Sequence, residues 1–355
     1  PRQLSLDGLT PPRPWESALA IREAIEPLLA GHSMSMEEAS AVMGEIMEGD
    51  ATPAQIASFL TALRSKGETS DEIAGMVMVM REKALKVRVE GILVDPAGTG
   101  GDGKGSFNIS TAAAFVAAAT GLRVAKDGNR AASGTCGSAD VLEALGAKID
   151  LGPEAVKRCI EEAGFGFMFA QTFHPAMRHA APVRREMGIR TVFNILGPLT
   201  NPADAQCQLL GVADPALGPT MAEVLKLLGT QHSLVVHGED GLDELTLGGK
   251  TLVWETQQDG ISSYSVSPEE LGLPTVSTGH IKGGGPEENA RTLRSLFQGE
   301  KGPLRDVVLL NSAGVMVAGG RVGDLKEGIG LAAEAIDSGG ALKVVDRFVE
   351  LSQRL

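Results

Sequence analysis

The stretch from Asp95 to Thr111, DPAGTGGDGKGSFNIST, sets five glycines (Gly98, Gly100, Gly101, Gly103 and Gly105) among Thr99, Asp102, Lys104 and Ser106, then runs into an alanine-rich segment. Glycine lets a backbone approach a ligand closely and present successive N–H groups to it. Asn108, Ser110 and Thr111 stand at the expected start of a helix, where unpaired N–H groups and the helix dipole favour an anion. Lys126 follows the apolar run LRVA and can add a point charge. GNRAASGTCGS offers Asn129, Arg130, Ser133 and Ser138 as further donors. Together these residue types suit a polyanion such as a diphosphate. A tight turn before an ordinary helix cap also fits the loop taken alone. The spacing matches neither G-x-G-x-x-G nor G-x-x-x-x-G-K-[ST], which disfavours a dinucleotide site or a P-loop.

A diphosphate usually arrives with magnesium, which takes hard oxygen donors from a few carboxylates, waters and the ligand itself. GEDGLDELTL supplies Asp243 and Glu244 side by side, after the apolar run SLVVHG. A solvated acidic turn is the plain alternative, and a place at a strand end adds to the metal reading. In HPAMRHAAPVRRE, His174, Arg178, His179, Arg184 and Arg185 lie on or beside an expected helix. An arginine there could grip a carboxylate through two parallel bonds, although an exposed basic face explains the same residues. No Cys–His or Ser–His arrangement nearby argues for a covalent nucleophile.

The elements that must position these residues fall into two kinds. Residues 1–14 are polar and proline-rich and read as a loose arm. From Trp15, WESALAIREAIEPLLAG has helical spacing. Ser35 before Glu38, Thr52 before Gln55 with Pro53 between, and Thr69 before Glu72 are three capping boxes. Residues 15–88 thus read as a bundle of about four helices. Over residues 89–355, VRVEGILVDPAG and LRVAKDG read as strands, and STAAAFVAAATG and SADVLEALG as helices. SLVVHG, RDVVLLNSA and LKVVDRF supply further strand or helix-edge candidates. Strands alternating with helices predict an α/β domain with a mostly parallel central sheet, whose ligands sit beyond the carboxyl ends of the strands.

Composition narrows the class. The 355 residues are 43% hydrophobic and 22% charged, as in an ordinary globular protein, but only 4% aromatic, so Ala, Val, Leu, Ile and Met must fill the core. A net charge of −13 speaks against a nucleic-acid-binding surface. Cys136, Cys159 and Cys207 are scattered, which suits a reduced, cytoplasmic setting without structural zinc. The most apolar run, TAAAFVAAATGL, is too short to span a membrane. The first residues lack a basic stretch followed by an apolar one, so no secretory signal is expected.

In order along the chain, GTGGDGKGSFNIST, AKDGNRAASGTCGSAD, HPAMRHAAPVRRE, FNILGPLTNP and GLDELT closely resemble the anthranilate phosphoribosyltransferase family. The resemblance covers most of the chain, and the ordered set is far more specific than any one piece. It implies a nucleoside-phosphorylase-like fold. It also implies a homodimer formed through the small helical domain, with middle helices from about residues 172–197 joining that domain. The implied reaction moves 5-phosphoribosyl from phosphoribosyl diphosphate to the amine of anthranilate, a step of tryptophan biosynthesis, by positioning and charge stabilisation rather than acid–base or covalent catalysis. By motif, Gly98, Gly101, Asp102, Ser106, Asn108, Ser110, Thr111, Lys126, Asn129 and Ser138 would surround phosphoribosyl diphosphate. Ser110, Asp243 and Glu244 would hold magnesium. Gly98, Asn129 and Arg184 would contact anthranilate, with His174 near its entry path. One position departs: the family usually reads Lys-His-Gly-Asn-Arg, and this chain has KDGNR. Asp127 would repel the carboxylate of the acceptor if it faced it. A nucleoside phosphorylase on the related fold would need a phosphate nucleophile and a base pocket, and the motifs fit it less well. A nucleic-acid-binding, non-enzymatic paralogue is opposed by the acidic charge and the Asp243–Glu244 pair.

Overall fold

The computed structural model describes residues 20–131 and 134–355; the expected arm over residues 1–14, the start of the first helical run at Trp15 and the candidate donor Ser133 lie outside these. The chain divides into two compact units. The described part of one is residues 20–80 with Ala176–Val192; the other is Arg81–Pro175 with Phe193–Leu355.

The helical unit is built on α1 (Ala20–Leu29), α2 (Met36–Glu48), α3 (Pro53–Lys66) and α4 (Ser70–Lys83), which continues past its boundary. Both side chains of the Ser35–Glu38 and Thr52–Gln55 boxes bond reciprocally, with Pro53 opening α3. Thr69 and Glu72 do the same, the Thr69 N–H donating to Glu72 Oε2 at 2.8 Å and the Glu72 N–H to Thr69 Oγ1 at 3.3 Å. Glu72 does more than cap. Fully buried, it also accepts from the Met34 N–H at 3.0 Å and from Lys66 Nζ at 2.9 Å. One carboxylate therefore ties the approach to α2, the end of α3 and the start of α4. Glu45 plays a similar part, accepting from the Ala20 and Ile21 amides at 2.6 and 3.1 Å.

The larger unit carries a seven-stranded sheet in the order β3-β2-β1-β4-β5-β6-β7. The strands are β1 Leu93–Gly98, β2 Arg123–Gly128, β3 Phe165–Phe169, β4 Cys207–Gly211, β5 His232–Gly238, β6 Thr251–Gln257 and β7 Gly260–Val266. The first five pair in parallel; β6 and β7 form an antiparallel hairpin on one edge. Two of the runs read as strand or helix-edge candidates lie inside helices. RDVVLLNSA lies inside the Pro303–Ala318 helix, which is buried on nearly every face, so its sequence shows no amphipathic period. LKVVDRF lies inside the Gly340–Arg354 helix, where Ala341, Val345, Phe348 and Ser352 make a buried stripe at helical spacing. The first candidate strand is also shorter than its apolar run, since pairing starts at Leu93.

The core is close-packed around α5 (Ile109–Ala119), whose alanines let the Pro303–Ala318 and Gly340–Arg354 helices approach it. Phe115, Phe165 and Phe348 meet there, with ring centroids 4.3 Å apart for the first two and 4.8 Å for the last two.

β1 lies between β2 and β4, so the sheet grows outward from it in both directions and a crevice opens at its carboxyl end. The sequence widens that crevice. Pro96 lacks an N–H, and the ladder from β1 to β2 ends at Val94, while the ladder to β4 continues through Gly98. The carbonyl left free at Pro96 accepts from Lys126 Nζ at 2.6 Å. β1, β2, β4 and β5 all end in glycine. At Gly211 a Cβ would fall on the Asp243 carbonyl, and at Gly128 on Ser138 Oγ. Bare strand ends are thus what allow the loops to close over the sheet.

Two substitutions test these constraints. Gly211→Ala is expected to cost about 3 kcal/mol in urea unfolding, as overpacking against backbone does, whereas Gly197→Ala, with open space at its Cβ, stays near the wild type. Glu72→Ala is expected to lose about 3 kcal/mol or more, because it strands a buried lysine and several amides. A loss under about 1 kcal/mol would show that the carboxylate does not hold the bundle together.

Candidate active site

The candidate site residues of the larger unit cluster toward the carboxyl ends of the parallel strands, Lys126 within β2, Gly98 at the end of β1 and the others beyond the strand ends. After Gly98 the loop turns through Gly100, Gly101, Gly103 and Gly105, with φ of 67°, 77°, 69° and 61°, a left-handed path that other residues adopt at a cost. The Gly100 N–H donates to Asp243 Oδ2 at 2.7 Å, so this loop and the one after β5 are held together at the switch point. Asp102 Oδ1 accepts from the Lys104 N–H at 3.0 Å, and its buried Oδ2 has no partner. The loop ends against a second glycine-rich segment. Ser106 bridges Lys282, the Phe107 N–H donates to the Ile281 carbonyl at 2.9 Å, and the Gly283 N–H donates to the Gly105 carbonyl at 3.0 Å.

Asn108 occupies the N-cap of α5, but its side chain makes no cap bond. It donates to the Cys136 carbonyl at 3.1 Å and accepts from Asn289 Nδ2 at 2.8 Å. The first turn is thereby left without a side-chain cap, as an anion site requires. Ser110 Oγ accepts from Lys126 Nζ at 3.2 Å, and the buried Thr111 Oγ1 has no partner. Lys126 is only 3% exposed; burial lowers its pKa, while Asp95, Glu244 and Asp127 act to raise it.

Asp243 and Glu244 are not a solvated turn. Burial, then the neighbouring Asp102, pushes the Asp243 carboxyl up to about 7. Glu244 is raised well above the ordinary range by burial and by Asp243, against the pull of Lys126 and the Ser110 amide. Asn311 holds the following residue from the Pro303–Ala318 helix, accepting from the Leu245 N–H at 3.0 Å and donating to its carbonyl at 2.9 Å. Beneath the site, burial pushes Asp95 up to about 7, and Asn201 donates to it at 2.7 Å and to the Ala125 carbonyl at 2.8 Å.

Gly98, Asp102, Ser110, Lys126, Asp243 and Glu244 therefore converge on one crevice. Gly101 and Ser106 line the loop leading to it. Asn129 and Ser138 pair with each other past the end of β2, Ser138 Oγ donating to the Asn129 carbonyl at 3.3 Å. Arg130 is spent on protein: it pairs with Asp140 and Glu143 instead of standing as a free donor. Asp127 faces His174, Oδ2 to Nε2 at 3.5 Å, with both side chains under a tenth exposed. Burial raises the Asp127 pKa, and His174 opposes the rise. Arg184 belongs to the helical unit, on the Ala181–Met187 helix, where burial lowers its pKa. Cys136 is half-buried beside the site, and burial pushes its thiol up to about 11, too high for a nucleophile at neutral pH. Sequence reasoning missed Asn201, Asn289 and Asn311. The glycine triplet of KGGGPEEN was the available signal for Asn289, and a lone asparagine in an apolar helix was the signal for Asn311.

Among the described residues no group of three His, Cys, Asp or Glu side chains could hold a metal ion. Magnesium does not need one, since it keeps waters and ligand phosphates in its shell. Crowded carboxylates with raised pKa values and an orphaned Asp102 oxygen are the donor set such a cation would satisfy.

Comparison with known proteins agrees with this geometry. Residues 22–84 match the glycosyl transferase family, helical bundle domain, and residues 90–342 match the glycosyl transferase family, a/b domain. The chain is 55% identical over 337 residues to the anthranilate phosphoribosyltransferase of Dehalococcoides mccartyi, covering 94% of this chain and 99% of that one. It superposes on the crystal structure of the anthranilate phosphoribosyltransferase of Thermus thermophilus with a TM-score of 0.89 at 51% identity, over 93% and 99% of the two chains. The enzyme of Saccharomyces cerevisiae, solved in complex with PRPP and Mg, gives a TM-score of 0.87 at 30% identity, over 96% and 99%. Sequence, sheet order and site chemistry converge: the chain belongs to the anthranilate phosphoribosyltransferases of the glycosyl transferase family.

Proposed function

We propose that this chain transfers 5-phosphoribosyl from phosphoribosyl diphosphate to the amine of anthranilate, with release of diphosphate, in tryptophan biosynthesis. The observation that carries this reading is the crevice at the end of β1, where a loop of bare amides meets Lys126 and three crowded carboxylates. The uncapped first turn of α5, the Gly-rich loop and Ser138 receive the diphosphate. Ser110, Asp243 and Glu244 hold magnesium, which when bound supplies positive charge to the departing oxygens. In the reaction a nitrogen–carbon bond forms at the sugar, the carbon–oxygen bond to diphosphate breaks, and the amine sheds one proton to solvent. No side chain need act as acid or base, since diphosphate leaves readily and the aromatic amine attacks as it stands. Gly98 and Asn129 flank the acceptor.

We propose a cytoplasmic homodimer. The exposed Leu29 and Met78, on helices of the helical unit, support a covered face there, and three free cysteines suit a reducing compartment. Among the described residues no helix is long and apolar enough to cross a membrane.

Two measurements follow from the charges. Asp243 and Glu244 hold protons more tightly than usual, so a cation must displace protons to bind. The magnesium concentration for half-maximal rate should therefore rise as pH falls from 8 to 6, and Asp243→Asn should lower kcat/KM about 100-fold. Equal magnesium requirements at both pH values would remove these carboxylates from the metal role. At Asp127, His174 Nε2 stands 3.5 Å from Oδ2 and opposes the rise in the carboxyl pKa. His174→Gln should raise KM for anthranilate about tenfold by removing the partner of the buried Asp127, and adding Asp127→Asn should restore it. Additive effects of the two changes would show that the pair is not coupled at the acceptor.

A further inference from the structure

The segment Lys282–Asn289, KGGGPEEN, has no part in the chemistry assigned above, yet it is bonded to both walls of the crevice. Asn289 lies in the first turn of the Pro286–Phe297 helix and is 2% exposed. Its Oδ1 accepts from the Gly284 N–H at 2.7 Å, and its Nδ2 donates to Asn108 Oδ1 at 2.8 Å. Asn108 Nδ2 then donates to the Cys136 carbonyl at 3.1 Å. Next to Cys136, Thr135 Oγ1 donates to the Gly284 carbonyl at 3.1 Å. The bonds close a ring: Gly284, Asn289, Asn108, the Thr135–Cys136 turn, and Gly284 again.

The polarity of this ring is fixed at both ends. The Gly284 N–H can only donate, so Asn289 must turn its oxygen to it. The Cys136 carbonyl can only accept, so Asn108 must turn its nitrogen there. The bond between the two amides then has one allowed direction. Close packing fixes the distance as well. A Cβ on Gly283 would lie 2.9 Å from Phe107 Cα and 3.0 Å from Asn289 Nδ2.

We propose that Asn289 is a positioning residue for phosphoribosyl diphosphate. Through Asn108 it sets the spacing between the glycine-rich loop that enters α5 and the Thr135–Gly137 turn that enters the Ser138–Ala144 helix. It touches neither substrate; it holds the two walls that do. This rests on the reading of the crevice as the diphosphate site.

Asn289→Asp tests the idea with almost no change of shape. The aspartate still accepts from the Gly284 N–H but sets an oxygen against Asn108 Oδ1, and flipping Asn108 would only move the clash to the Cys136 carbonyl. Steady-state kinetics should show KM for phosphoribosyl diphosphate raised about tenfold, with KM for anthranilate within about twofold. Thr135→Val opens the same ring from an exposed side chain that the fold does not need. It should raise KM for phosphoribosyl diphosphate about threefold, and it carries the test if Asn289→Asp fails to fold. Unchanged KM for phosphoribosyl diphosphate in the folded variants, or equal rises for both substrates, would overturn the proposal while leaving the wild-type activity standing. A wild type that does not consume anthranilate with phosphoribosyl diphosphate and magnesium would instead bring down the reading of the site, and this inference with it.

Discussion

Asp102, Asp243 and Glu244 are crowded at the carboxyl ends of β1 and β5, with Lys126 acting on Glu244, and much of the larger unit serves to keep them there. Burying like charges is costly unless protons or a cation relieve them. The raised pKa values of Asp243 and Glu244 record that cost. On the proposed reading, a cation and the anion that travels with it would relieve it from outside. Binding and charge relief would then be one event, which favours a metal–diphosphate pair over either ion alone.

Holding such a cluster demands backbone in places where side chains would intrude. The parallel strands supply it by ending in glycine, so that Asp243 can lie against Gly98 and Gly211. Pro96 contributes by breaking the ladder to β2 and freeing a carbonyl for Lys126. Lys126 is therefore aimed by the sheet itself, between a strand carbonyl and Ser110, with little freedom to wander. A proline within a central strand, ordinarily a fault, here helps to open the crevice.

The helical bundle could be read from three capping boxes, and β1, β2, β5 and the helices after β1 and β2 from their apolar runs, because those signals are local; β3 and β4 went unread. The reading stayed undecided between strand and helix where burial erases periodicity. The Pro303–Ala318 helix is apolar nearly all round, and its VVLL run carries no sign of which period it follows. The site divides in the same way. Glycines, Lys126 and the Asp243–Glu244 pair announce themselves by type and spacing. Arg130 misled because its partners, Asp140 and Glu143, are ten and thirteen residues away, a separation at which the sequence gives no local pairing signal. Asp127 read as a lone repulsive charge because His174 meets it only through the pairing of β2 with β3.

The supporting asparagines share one logic. Asn201, Asn289 and Asn311 are each nearly or fully buried; each reaches a segment distant in sequence, and in each both ends of the neutral amide are bonded. A charged side chain could tie the same segments, but its field would reach the crevice and add to or cancel the charges there. An amide satisfies a donor and an acceptor at once and adds no net charge. The frame adds little charge of its own, so on the proposed reading the potential felt by an incoming diphosphate would be set by the loop amides, Lys126 and the cation the carboxylates would take up. Replacing any of these asparagines with an acid would therefore disturb the site twice, once in geometry and once in charge.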